Sequence, residues 1–239
     1  MTDAWSEIMS DAASGVSGEY FIERDDGRVE SLNVEDYISP FSEWSEVEQL
    51  ALKHVKGRVL DVGCGAGRIA LYLQSLGFSV VGIDSASGAI EGCRKRGLRE
   101  AYVMAAEKLE FPEAHFDTVI LYGNSFGMLG DEALIVNMLR DLYRIAKQDG
   151  VILAASADVK ITDDPEHLEY HEMNISKGNP KGLVRIRVKY KGIVDDWINL
   201  RLAMPDEMEA MAKQAGWRVK VKYQKGAPYV SVLSKEAIP

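Results

Sequence analysis

The residues best placed to do chemistry are three alternating glycines and an acid that follows them. Gly63, Gly65 and Gly67 come directly after the apolar run Val59-Leu60-Asp61-Val62 and directly before Arg68-Ile69-Ala70. The run before them has the aliphatic character of a buried parallel strand, and the run after them opens a helical pattern. Glycine lets backbone approach a ligand closely and tolerates positive φ, so alternate glycines at a strand-to-helix turn suggest a nucleoside cradle. The free N–H groups of the new helix add donors there. A second apolar run, Phe78 to Ile83, ends on Asp84. That is about 20 residues past the turn, where a nucleotide-binding βαβ unit carries its ribose-binding carboxylate.

The spacing separates two kinds of nucleoside. A dinucleotide fingerprint reads G-x-G-x-x-G, whereas this chain reads G-x-G-x-G, with Arg68 where the third dehydrogenase glycine would stand. The segment Asp61-Val62-Gly63-Cys64-Gly65-Ala66-Gly67 resembles motif I of the class I S-adenosylmethionine (SAM) dependent methyltransferases, and Asp84 matches that family's acid. The resemblance runs from about Ser45 to Ala157 and extends to the closing strands. It implies that the glycine turn carries the methionine and ribose part of SAM and that the acid binds the ribose. The family's adenine-binding motif is close to D-A-E-x-L-P-F. Here Ala105-Ala106-Glu107-Lys108-Leu109-Glu110-Phe111 stands in its place, so the usual aspartate contact is lost at Ala105. Ala106 can still offer its N–H, and Glu107 is a substitute acid. The resulting cofactor-binding set is Asp61, Gly63, Cys64, Gly65, Gly67, Asp84, Ser85, Ala106, Glu107 and Leu121.

Methyl transfer needs mainly alignment and exclusion of water, with a general base where the acceptor carries a proton. Tyr122 to Gly127 leaves the carboxyl end of the strand Phe116–Leu121, where ligands bind in an open α/β sheet. Tyr122 can line a transfer channel and Asn124 can hold a carboxylate or amine. Gly123, Gly127 and Asn124 can equally do no more than shape a turn. His167 and His171 stand four apart, so on a helix they share a face, and His171 is a candidate base. Without a His-Glu-x-x-His pattern or a third ligand, no metal site is expected. Cys64 and Cys93 are the only cysteines, too few for a disulfide framework.

The elements that must position these groups alternate along the chain. Helical spacing appears over 66–76, after Asp131 and over 205–215, and Ser85 and Ser87 can cap a further helix that runs to Arg96. Strands are expected at 101–104, 116–121, 150–155, 217–223 and 229–233. The expected fold class is α/β: a doubly wound, mostly parallel, seven-stranded Rossmann-like sheet with an antiparallel β insert after strand five. The insert, 158–203, is expected to cap the substrate. It holds the alternating run Arg185, Arg187, Lys189, Lys191, a strand from Trp197, and a third over Tyr170–Ile175. The basic face can attract an anionic substrate or can protect an exposed edge. Residues 1–45 read as an N-terminal lid or arm and 46–239 as the main domain. The aromatics Tyr20, Phe21, Tyr37, Phe41 and Trp44 of the lid either contact ligand or anchor the lid.

Composition sets the outer limits. The 239 residues carry a net charge of −9, with 46% hydrophobic and 27% charged residues, as one globular domain would. No run spans a membrane and no leader is apparent from Met1-Thr2 onward, so a cytoplasmic protein is expected. The acidity disfavours a phosphate backbone as partner. The sequence therefore reads as a SAM-dependent methyltransferase acting on a nitrogen or oxygen of a small molecule. A NAD-dependent oxidoreductase and a non-catalytic SAM-binding regulator are the alternatives. Oligomeric state is not set by the sequence.

Overall fold

The computed structural model describes residues 3–235. Met1, Thr2 and residues 236–239, which belong to the expected 1–45 and 46–239 segments, lie outside the described residues. The elements in chain order are helix α1 (Ala4–Ala13), strands β1 (Glu19–Arg24) and β2 (Val29–Asn33), helix α2 (Glu46–Ala51), β3 (Arg58–Val62) and α3 (Arg68–Ser75). They continue through β4 (Ser79–Asp84), α4 (Ser87–Lys95), β5 (Glu100–Val103), β6 (Phe116–Leu121), α5 (Glu132–Ile145) and β7 (Ala146–Ala157). The chain then forms α6 (Pro165–Ser176), β8 (Leu183–Tyr190), β9 (Ile193–Val194), β10 (Ile198–Arg201), α7 (Pro205–Gln214), β11 (Trp217–Gln224) and β12 (Pro228–Lys235).

Seven strands form one mixed sheet in the order β11-β12-β7-β6-β3-β4-β5. The five from β3 to β7 run parallel, while β12 is antiparallel to β7 and β11 to β12. Because β3 is buried on both faces, its side chains alternate between two cores. Leu60 and Val62 join Leu139, Leu142 and Met208 under α5 and α7, whereas Val59 joins Ile69, Leu73 and Ile90 under α3 and α4. Chain order reverses between β3 and β6, so the crevice at their carboxyl ends is the expected ligand position.

A second, antiparallel sheet runs β10-β8-β1-β2, with β9 paired to β8. Its insert strands were expected, but its other half comes from the N-terminal segment: Ile22 lies opposite Val188 and Arg24 opposite Ile186. The first 45 residues are thus built into the cap. The expected N-terminal arm opens with a helix, α1, which runs to Ala13.

Other boundaries differ for identifiable reasons. Tyr170–Ile175 is helix, not strand. Asp164 caps it by accepting from the Glu166 N–H at 2.9 Å, and Pro165 supplies a first-turn residue that needs no N–H partner. Helix α3 begins at Arg68 rather than at Ala66, because Gly67 has φ +84 and cannot join it. Neither Ser85 nor Ser87 caps α4. Its N-cap is Ala86, and no side chain bonds there from that position. Lys191 leaves the basic strand for a tight turn with Gly192, at φ +47 and +82, the paired positive values of a two-residue hairpin. Among the described residues, no helix is long and apolar enough to cross a membrane.

Candidate functional site

The turn after β3 is braced from below and behind. The N–H groups of Gly63 and Cys64 both donate to the carbonyl of Ile83, at 2.9 and 3.0 Å. Asp84 then takes the Gly65 N–H on Oδ2 at 3.0 Å and the Ala86 N–H on Oδ1 at 2.9 Å. One carboxylate therefore fixes the glycine turn to the turn after β4. Burial raises its pKa, and the backbone donors oppose that rise. A carboxylate still has lone pairs for further donors at the mouth of the crevice.

Asp61 lies under the same turn. It is buried, its Oδ2 has no hydrogen-bond partner, and desolvation raises its pKa to about 7 against the pull of Arg68. A buried carboxylate oxygen without a donor is costly, and a ligand cation would relieve that cost. Arg68 does not fill this role directly. Its guanidinium pairs with Glu48 at 2.9 Å and lies over the Trp44 ring at 4.8 Å.

Asp61 also gives a pH signature. The folded chain keeps this proton to about pH 7, whereas the unfolded chain releases it near the ordinary aspartate value of 3.8. The folded state thus binds the extra proton between those values, so stability falls as pH rises through the window and levels off above it. Asp61→Asn should remove that slope and unfold at a higher temperature than the parent at about pH 8. Thermal melts across pH check this, and an unchanged slope would assign the titration elsewhere.

The residues that close the site come from the N-terminal segment and from the loop after β6. A Cβ added to Gly63 would meet Ser125 Oγ at 2.6 Å, and one added to Gly65 would meet Met9 Sδ at 3.2 Å and the Tyr37 ring at 3.7 Å. Helix α1 reaches this position because α4 presents Gly88 and Gly92, whose missing side chains admit the Ser6 carbonyl and the Ala13 methyl. Ser125 and Met9 were not singled out from sequence. Neither has a motif, and only the opposing glycine identifies them. The aromatics divide: Tyr37 lies over the turn, while Phe41 stacks on Tyr72 at 4.6 Å and packs with Trp44 to anchor the segment.

The remaining candidates fall as follows. Leu121 is fully buried at the end of β6, Cys64 is buried, Ala106 is buried, and Ser85 and Glu107 are exposed. Cys64 Sγ lies 3.7 Å from Cys93 Sγ, and its thiol pKa is pushed well above its ordinary value by that bond and by burial, so it stays a protonated packing group. Asn124 takes φ +65, a conformation that asparagine tolerates better than most residues, and its carbonyl accepts from the Gly127 N–H at 3.0 Å. That favours its turn-shaping role.

Tyr122 does not open toward the crevice. It is buried beside Trp44 and Ile69, and its hydroxyl donates to the Glu48 carbonyl at 3.0 Å. Burial raises its pKa, so the hydroxyl keeps its proton. Tyr122→Phe should cost ~1 kcal/mol of stability and leave turnover within about twofold. Chemical denaturation and initial rates measure the two. A collapse of rate at unchanged stability would restore a chemical role.

His171 lies in the cap and not at the turn. It is buried on α6, its Nδ1 has no partner, and burial lowers its pKa, followed by the charges of Lys181, His167 and Arg24. It shares one helix face with His167, whose Nδ1 is 3.1 Å from the Arg24 guanidinium.

Known proteins share part of this sequence and its fold. A family model described as "Methyltransferase domain" matches residues 59–150, which is β3 through the first part of β7. Glycine/sarcosine N-methyltransferase of Aphanothece halophytica is 25% identical over 152 residues, 58% of this chain and 57% of that protein. The 2-heptyl-1-hydroxyquinolin-4(1H)-one methyltransferase of Mycobacteroides abscessus is 35% identical over 106 residues, 43% of each chain. The chain spans about half the length of the curated relatives it matches. A SAM-dependent methyltransferase from Bacteroides fragilis, solved with S-adenosyl-L-homocysteine, superimposes with a TM-score of 0.83 over 99% of this chain and 96% of that one, at 23% identity. Residues 59–150 match the methyltransferase-domain model, and the fold around them is that of the SAM-dependent methyltransferase solved with S-adenosyl-L-homocysteine.

Proposed function

We propose that this chain transfers a methyl group from SAM to a nitrogen or oxygen of a small molecule held between the glycine turn and the cap sheet. The observation that carries this reading is the Gly63–Gly67 turn tied to Asp84, with the unpartnered oxygen of Asp61 buried beneath it. These residues fit SAM. Asp84 has a carboxylate for ribose hydroxyls, Asp61 lacks a donor that an ammonium supplies, and the positive-φ glycines hold a turn that residues with a Cβ rarely adopt. When bound, SAM supplies an activated methyl group on a sulfonium. The Ala106 N–H and the surface acid Glu107 are proposed to border the adenine, with Leu121, Cys64 and Ser85 completing the cofactor set.

The protein's own contribution is then alignment and dehydration. The Met9 and Tyr37 side chains cover the turn, and Ser125 closes its other flank, which removes water from the reacting atoms. An acceptor that carries a proton must lose it. His171, neutral at physiological pH by its lowered pKa and with a free ring nitrogen, is the proposed base on the cap side. Asn124 remains a candidate acceptor contact from the loop after β6. Arg68 occupies the third dehydrogenase glycine position and is tied to Glu48, which speaks against the oxidoreductase reading. The net charge of −9 favours a small acceptor over nucleic acid.

A screen of amines, phenols and hydroxyl-bearing metabolites with methyl-labelled SAM tests the proposal. Label transfer to one acceptor class is expected. With that acceptor, His171→Asn should lower turnover about 100-fold at unchanged S-adenosylhomocysteine affinity. SAM binding with no transfer across the panel would favour a regulator, and an unaltered rate in His171→Asn would remove the base.

A further inference from the structure

Away from the glycine turn, the cap sheet carries a cavity of about 480 Å³ between α6, the start of β8 and the start of β10. That volume suits a small ligand. Its wall holds Lys177 just past α6, Arg185 of β8, Trp197 at the entry to β10, and Asn199 within that strand. The charge pattern is uneven. Along the same strand face, Arg187 and Lys189 are both held by Glu23, at 2.6 and 2.5 Å. Arg185 and Lys177 have no carboxylate partner among the described residues. The one acid of the wall, Asp25, accepts the Tyr170 hydroxyl at 2.7 Å. Two unpaired cations therefore face a cavity whose single carboxylate is already bonded.

Trp197 completes the chemistry. The Arg187 guanidinium lies 4.6 Å from its ring and that of Arg185 lies 5.6 Å away, which holds the indole upright at the wall as a flat apolar surface beside positive charge. A fork of guanidinium donors next to a stacking surface recognises a planar group bearing a carboxylate or phosphate. The opposite side of the wall meets the loop after β6, because a Cβ added to Gly130 would lie 2.7 Å from Asn199 Cβ.

We propose that this cavity is a binding site for a small organic anion with a planar ring, its charged group against Arg185 and Lys177 and its ring against Trp197. It stands independently of the methyl-transfer reading. Isothermal titration of the full chain with phenyl phosphate tests it, with inorganic phosphate and phenol as the separated halves. Phenyl phosphate should bind saturably with one site per chain, more tightly than inorganic phosphate, and phenol should not bind. Arg185→Gln and Lys177→Gln should each weaken binding about tenfold, and Trp197→Leu by a similar factor. Added salt should weaken binding to the parent chain, a readout that needs no variant. The melting temperature of every variant should match the parent's, which shows that each folds. Absence of saturable phenyl phosphate binding, or full affinity in the Arg185→Gln, Lys177→Gln double variant, overturns the site. Equal affinity for inorganic phosphate overturns the role of the ring.

Discussion

Asp84→Ala is expected to weaken S-adenosylhomocysteine binding by ~100-fold or more, the largest loss for any single side chain in the site. Two effects act together. The carboxylate is the proposed ribose acceptor, and it also holds the Gly65 and Ala86 N–H groups at 3.0 and 2.9 Å. Removing it leaves two backbone donors near the crevice without partners and frees the glycine turn from β4. Hydrogen bonds to a charged acceptor contribute ~1.5–3 kcal/mol each, so the turn loses order as well as a ligand contact. Asp84→Asn separates the two effects. The amide oxygen keeps one acceptor and most of the shape, so stability should recover further than affinity does. Calorimetric titration beside thermal melts reads both. Parent-like affinity in Asp84→Ala would remove the ribose assignment.

The second large effect is expected at Gly63. Its φ of +70 is strained for any residue with a Cβ, and that Cβ would stand 2.6 Å from Ser125 Oγ. Ser125 has little room to withdraw, since it is buried and its N–H is tied to the Tyr122 carbonyl at 3.1 Å. Gly63→Ala should therefore cost roughly 2–4 kcal/mol and abolish measurable cofactor binding. Gly77 is the control. It has φ +93 and nothing within 4 Å of an added Cβ. Gly77→Ala meets only the backbone strain, ~1–3 kcal/mol, and should bind S-adenosylhomocysteine as the parent does. Equal cofactor affinity in the two variants would show that the contact with the loop after β6 is irrelevant to the site.

What was readable in advance follows from range. Buried parallel strands are apolar runs, and the glycine turn and Asp84 mark the ends of two of them, so β3, β4 and their crevice could be read from local pattern alone. The cap sheet could not be read in this way. Glu19–Arg24 pairs with Leu183–Tyr190 across more than half the chain, and alternation in either segment does not name its partner. Helix α6 was misread because its capping residue, Asp164, sits outside the short window that looked strand-like. Lys191 was hidden in a basic alternation whose last step is a turn. The roof of the turn was legible only in part. Tyr37 stood out as an aromatic, but Met9 needs the small residues of α4 to reach Gly65, and that packing has no sequence motif.

The Gly63–Gly67 turn and Asp84 together form the proposed cradle for SAM. Titrating the chain with S-adenosylhomocysteine and, separately, with NADH tests this most directly. Saturable binding of S-adenosylhomocysteine with one site per chain, a raised melting temperature, and no response to NADH are expected. Saturable NADH binding with no response to S-adenosylhomocysteine would contradict the SAM assignment.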